Sequence, residues 1–431
     1  MIPRIRPFFD PSFIDAVLKD NPGGERRDYA KRVADRVRGH YLGAADMEFL
    51  DYGNSSLLAS FSILGLRKGD AIALPAFTCP TILGPVLAYG LRPVLIDVDK
   101  DMQMMSHMRE QVDINVKALL VSHIFGIPMN LPAARELADD RGIPLIEDCA
   151  HSICSTVDGM RLGTIGDVSF TSFRVDKPLS IGKGSILALN NPEYAERFRE
   201  VVDGYELNPT FDERMSILNL MMYFLATERT RYSRFLGIEE FYHHFLEHPE
   251  EGEAWWKRLN EFPDIDLPKV VTHLHPWYDF FRGKFMGEDL GYEHIPVKMN
   301  KLSLKLLWKA LEFADDANAS RIAVCNRYLE EMGEDGKAVI PSNLKGVPIL
   351  RFPIICHDAR DHRRLKRALA DAGVEAGIFN WSPSMGQVLG RRGECPSADH
   401  IASNILNLPS HPYVTDEEVE RIVATIRRVC G

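Results

Sequence analysis

The chain has 431 residues, 45% of them hydrophobic and 26% charged, with a formal net charge of −10. That suits a soluble globular protein of one large domain or two, long enough to bury a sizeable core. The acidic balance argues against nucleic acid as a principal partner, because neutralising phosphates takes clustered Lys and Arg, and no run of about 18 apolar residues offers a membrane span. Seven scattered cysteines without CxxC spacing suit free thiols in a reducing cytoplasm better than a disulfide framework or a zinc site. The N-terminal MIPRIRPFFDPSF carries prolines and charges where a signal peptide needs an uninterrupted apolar stretch. A cytoplasmic protein is expected.

Residues 1 to about 40 read as a short helix and a lead-in arm, broken at NPGGERRD. From Tyr52 the texture changes. GNSSLLASFSILGLRKGD reads as an amphipathic helix whose Asn54, Ser55 and Ser56 can cap its start. AIALPAFTCP then reads as a buried strand, TILGPVLAYG as a helix closed by Gly90, and RPVLIDVD as a strand. VKALLVSHIF, LPAARELADDRG and IPLIEDCA repeat strand, helix, strand, and VSFTSF reads as a further strand. Apolar strands alternating with helices imply an α/β domain with a mostly parallel sheet covered on both faces. Its ligand is expected at the carboxyl ends of the strands.

Between about 197 and 295 the alternation stops, and the segment becomes helical, rich in Met and aromatics. Such a stripe is more often a packing face than a cofactor box. LSLKLLWKALEFADDANASRIAVCNRYLEEM reads as a long helix broken around Asp315-Asp316. PILRFPIICHD reads as a strand, ARDHRRLKRALADAG as a helix closed by Gly373, VEAGIFNW as a strand, and TDEEVERIVATIRRV as a final helix with Thr415 and Glu418 in a capping box. A large domain over 1–311, with the N-terminal arm and extra helices at about 200–290, and a small α+β domain over 312–431 are expected.

Chemistry-bearing residues fall at the predicted strand ends: His123 after ALLVS, Asp148 after IPLIE, Ser172 and Lys177 after DVSF, with Asn54-Ser55 at a helix start. Each alone has an ordinary structural reading, as a cap or a satisfied polar group. Together they lie on one sheet edge. An acid closing one strand and a lysine just past another are what pyridoxal phosphate (PLP) chemistry requires, the lysine as nucleophile and the acid to keep the pyridine nitrogen protonated. A helix start suits the phosphate.

Four segments in order carry a resemblance to the DegT/DnrJ/EryC1/StrS sugar aminotransferases, PLP enzymes of fold type I: GNSSLLASFSILGLRKGDAIALPAFTCPTILGPVLAYGLRPVLIDVD, IEDCAHSICS, TSFRVDK and the closing CPSADHIASNILNLPSHPYVTDEEVERIVATIRRV. The resemblance implies that Lys177 forms the internal aldimine and later shuttles a proton, and that Asp148 pairs with the pyridine nitrogen. It implies that His151, where the family usually has Gln, lies near the cofactor's 3-hydroxyl, and that Asn54, Ser55 and Ser172 hold the phosphate. Cys79 occupies the place where relatives stack an aromatic on the ring. The family's GEGG is GKGS here, putting Lys183 in place of an acid, and its NYRM segment best matches Pro296-Val297-Lys298-Met299.

No metal is expected. The implied activity moves an amino group, from glutamate as donor, to a keto-sugar, most plausibly nucleotide-linked, in a homodimer with shared active sites. Lys177 argues for transamination over dehydration, since the family's dehydratases tend to carry His there. Two alternatives stand beside this: a PLP- or sugar-nucleotide-binding regulatory protein without turnover, and an aminotransferase for a lipid-linked or non-sugar ketone.

Overall fold

The computed structural model describes residues 1–20, 23–40, 44, 46–104, 108–232, 296–333, 339–377 and 383–430. In chain order the helices are α1 Pro11–Lys19, α2 Arg26–His40, α3 Gly53–Ile63, α4 Leu83–Ala88, α5 Met108–Gln111, α6 Leu131–Arg141, α7 Ala195–Asp203, α8 Thr210–Ala226, α9 Arg229–Tyr232, α10 Lys301–Ala310, α11 Ala314–Met332, α12 Ala359–Asp371, α13 Met385–Val388, α14 Pro396–Asn404 and α15 Asp416–Cys430. The strands are β1 Asp46–Leu50, β2 Ala71–Pro75, β3 Arg92–Ile96, β4 Val116–Ser122, β5 Leu145–Asp148, β6 Thr156–Val157, β7 Met160–Arg161, β8 Val168–Phe170, β9 Ser185–Leu189, β10 Phe352–Ile355 and β11 Ile405–Leu408.

Seven strands form one sheet in the order β1-β9-β8-β5-β4-β2-β3. From β8 to β3 all neighbours are parallel, and β9 runs antiparallel to both β8 and β1. The strands AIALP and SILAL are buried at every position, as befits a sheet covered on both faces. The fold is α/β, as the alternation predicts. β1 and β9 were not foreseen: five-residue strands beside glycine-rich loops leave little periodicity to read. VSFTSF is a strand only over Val168–Phe170.

The local signals hold at most helix ends. Asn130 caps α6 by accepting from Ala133 N–H, and Gly142 closes it with φ 61°. Thr415 and Glu418 bond reciprocally at the start of α15, the capping box the sequence suggests. At α3 the cap differs. Tyr52 is the N-cap residue and makes no side-chain cap bond; Asn54, Ser55 and Ser56 lie inside the first turn. VEAGIFNW also departs from expectation, since Val374 makes one isolated bridge to Ile2 and residues 378–382 lie outside the described residues. The N-terminal arm occupies that edge, and β10 pairs with β11 instead.

The long C-terminal helix is interrupted by the 3-10 turn Leu311–Phe313, just before Asp315-Asp316. Buried side chains continue across this point. One apolar cluster holds Leu57, Leu74 and Leu120 of the large sheet region together with Tyr328, Ile354, Leu406 and Ile422. A second cluster joins α1, α2, α8 and α10 through Ile14, Val33, Leu220 and Leu307. The Met-rich stripe of α8 is therefore a packing face, with Met215, Leu218, Leu220 and Met221 buried. The remainder of the predicted helical segment, 233–295, lies outside the described residues. Leu220→Ala should cost about 2–5 kcal/mol in urea unfolding; a change under about 0.5 kcal/mol would show that this face is not core.

Candidate active site

β5 ends in Glu147 and Asp148, which point to opposite sides because side chains alternate along a strand. Asp148 is 5% exposed. Its carboxylate accepts from Ser122 Oγ at 2.9 Å and from Ala150 N–H at 2.9 Å. Burial raises its pKa, against the opposing pull of these bonds and of the Lys177 charge. A cation at this carboxylate would offset that cost.

Glu147 organises the opposite side. It is fully buried and accepts from the backbone N–H groups of Gly163, Ile165 and Gly166 and from His123 Nε2 at 3.0 Å. Burial opposes its ionisation, but His123 and the Gly166 and Gly163 N–H groups outweigh burial and hold the pKa below its usual value. His123 Nδ1 accepts from Met129 N–H at 3.1 Å. Both ring nitrogens of His123 thus serve loop geometry. The sequence-based placing of His123 among the ligand-facing residues is corrected by this: it braces the loops beside the site.

Lys177 lies in the loop after β8 and is 8% exposed. Its Nζ sits 2.8 Å from His151 Nε2 and 3.6 Å from Asp176 Oδ2. His151 Nδ1 accepts from Phe125 N–H at 3.0 Å, and burial, then the Lys177 and Arg351 charges, push its pKa far down. A neutral imidazole carries one proton. With Nδ1 accepting, that proton sits on Nε2, the nitrogen that faces Lys177 Nζ. Phe125 presents its N–H from a left-handed conformation, φ 56° and ψ 10°, rare for a bulky residue. Its ring lies parallel to His151, with centroids 6.3 Å apart.

Asp176 lies between Lys177 and Arg351, whose Nη2 is 3.3 Å away. Burial raises its pKa and Lys177, Arg174 and Arg351 lower it, with the cations winning. Arg351, 2% exposed, is pushed down to about 10 by burial, then by Arg4. Sequence reasoning missed Asp176, Arg351, Phe125 and Ser122. Asp176 and Ser122 had a usable signal, each beside a residue already singled out; Arg351 comes from 174 positions downstream of Lys177 and had none.

Ser172 is 4% exposed and its hydroxyl has no hydrogen-bond partner among the described residues. Ser55 donates its Oγ to Asp51 at 2.6 Å, so toward a phosphate it offers backbone. Asn54 Nδ2 reaches Thr81 O at 3.4 Å, and Cys79 Sγ lies 3.0 Å from Thr81 Oγ1. Asn54, Cys79 and Thr81 are thereby neighbours at the α3 start. A buried lysine, a buried carboxylate and a helix start with a nearby buried hydroxyl fit PLP. His123, Glu147 and Cys149 cluster closely, but the bonds above already occupy the His and Glu atoms.

The family model for DegT/DnrJ/EryC1/StrS aminotransferases matches residues 28–208 and 280–427. The chain belongs to this aminotransferase family. GDP-perosamine synthase of Vibrio cholerae is 28% identical over 192 residues, 41% of this chain and 52% of that protein, so the match spans about half of its length. A UDP-N-acetyl-3-dehydro-alpha-D-glucosamine 3-aminotransferase of Acidithiobacillus ferrooxidans is 24% identical over 87% of this chain and 82% of its own. The solved aminotransferase TlmJ from Streptoalloteichus hindustanus superposes with TM-score 0.70 at 21% identity, covering 100% of this chain and 98% of that one. At that identity it shows the shared fold.

Glu147's contribution to stability is full above the ordinary Glu pKa of 4.5 and is lost as pH falls through its lower folded value. Glu147→Gln should therefore destabilise most at neutral pH, with the gap to the parent closing as the solution is acidified. Thermal unfolding across that range reads the effect.

Proposed function

We infer that the protein is a PLP-dependent aminotransferase that takes an amino group from an amino acid, glutamate, and delivers it to a nucleotide-linked keto-sugar. The observation that carries this reading is the Lys177–His151 contact, 2.8 Å between nitrogens, with Asp148 in the same buried site. The acceptor class is supported by the two curated relatives, both named for nucleotide-sugar chemistry. The homodimer with shared sites and the glutamate donor are supported by the family resemblance. The described cysteines, at 79, 149, 154, 325, 356 and 395, are free thiols, which supports a reducing cytoplasm. The turn at Leu311–Phe313 supports a boundary between a large domain over 1–311 and a small one over 312–431.

When bound, PLP supplies an aldehyde for a lysine amine and a ring that accepts electrons once its nitrogen is protonated. Asp148, held by Ser122 and Ala150 N–H, would keep that nitrogen protonated. Lys177 Nζ would be the nucleophile, and once displaced by the substrate amine it would carry the proton between the amino-bearing carbon and the cofactor. His151 would donate Nε2–H to the 3-oxygen, its tautomer held by Phe125. Asp176 would accept charge from Lys177 and Arg351 whenever the amine is protonated. Ser172 and the first turn of α3, with Asn54 and Ser55, would take the phosphate, with Cys79 alongside the ring.

Borohydride treatment should fix cofactor to Lys177 in the purified protein. Lys177→Ala should lose that label and about 10²–10⁴-fold or more in turnover; a label transferred to Lys183 would refute the assignment, and failure of every amino donor to convert bound cofactor would favour a binding protein. His151→Gln keeps an N–H donor and should retain most kcat, whereas His151→Leu should lose about tenfold or more, an order set by one charge-assisted hydrogen bond.

A further inference from the structure

Lys183 is the residue that the site above leaves unused. It is 6% exposed, which is unusual for a lysine without a partner. Among the described residues no carboxylate lies within ion-pair distance of its ammonium and no acceptor bonds it. Its ammonium lies over the Tyr52 ring, 5.6 Å from Nζ to the centroid. Tyr52 is the N-cap of α3, so the ammonium lies beside the side chain of the residue that opens this helix.

The backbone places it there. Gly182 has φ 98°, and a Cβ at that position would lie 2.4 Å from Ser216 O, so α8 crowds the chain just before Lys183. Two residues later, Ser185 Oγ meets Ser56 Oγ at 2.7 Å. Lys183 thus reaches Tyr52 one helical turn before Ser56. The acids around it are Asp51, Asp212 and Glu213. Asp51 Oδ1 accepts from Ser55 Oγ, and Glu213 accepts from the Asn300, Leu302 and Ser303 N–H groups. Burial lowers the Lys183 pKa, and these three acids only partly restore it. An ammonium on a largely buried side chain costs free energy unless an anion joins it.

We propose that Lys183 is a phosphate-binding residue, its ammonium neutralising a phosphoryl group seated on the first turn of α3. Helix N-termini favour phosphate through their N–H groups and dipole, and the lysine adds the full charge that Ser172 and backbone lack. This rests on the PLP reading above, with the cofactor's phosphate as the group held; the diphosphate of the acceptor is the other source of the same chemistry.

The test uses the full chain freed of cofactor and titrated, by absorbance, with PLP and separately with pyridoxal, which lacks the phosphate. Lys183→Met keeps the apolar stem. It should weaken PLP about tenfold or more, the worth of one hydrogen bond to a charged group, while leaving pyridoxal unchanged, and Lys183→Arg should restore most of the loss. Inorganic phosphate should compete with PLP in the parent and much less in Lys183→Met. If PLP affinity is unchanged but KM for a nucleotide-sugar acceptor rises at saturating cofactor, the phosphoryl group is the substrate's. Equal losses for PLP and pyridoxal, or no change in either PLP affinity or acceptor KM, overturn the proposal. A parent protein that binds neither PLP nor pyridoxal fails the PLP reading itself and takes the proposal with it.

Discussion

The site depends on the alternation of two adjacent acids at the end of β5. Because Glu147 and Asp148 face opposite ways, one short strand can brace the surrounding loops and present a carboxylate to a ligand. Glu147 collects three backbone N–H groups and His123, fixing the 163–166 loop that leads into β8. β8 in turn delivers the loop bearing Ser172 and Lys177. Asp148 pairs in register with Ser122 of β4, which supplies one of its hydrogen bonds. A one-residue slip of β5 would exchange the two roles.

Electrostatics then sets which groups carry charge. Burial drives His151 to its neutral form and Arg351 down to about 10, while the surrounding cations hold Asp176 ionised. The Phe125 N–H decides the imidazole tautomer, and it does so from a strained, left-handed residue. Such strain persists only where packing over-determines it; here Phe125 is fully buried, between Phe77 and His151. A backbone conformation therefore sets which imidazole nitrogen turns its proton toward Lys177.

Much of this was legible. The βαβ alternation, the helix ends at Gly90 and Gly373, the capping box at Thr415, and the placement of Asp148, Ser172 and Lys177 at or just past strand ends follow from period and local chemistry. What misled the reading was local too. Asn54, Ser55 and Ser56 have cap-forming side chains, but Tyr52 takes the cap position, because Ser55 is drawn to Asp51 and Ser56 to Ser185. His123 sits at a strand end as expected, yet a buried carboxylate next to Asp148 claims it.

By itself, the sequence determined the α/β class and much of the alternation from α3 to β8, and it singled out Lys177 and Asp148 as candidates, because hydrophobic period, turn residues and strand ends are properties of short stretches. Only the tertiary structure decided that His151 meets Lys177 through Nε2, that Asp176 is shared with Arg351 and that Lys183 lies largely buried beside the Tyr52 ring. Those facts depend on contacts between segments distant along the chain, and on burial, which turns ordinary polar side chains into groups that must find a partner.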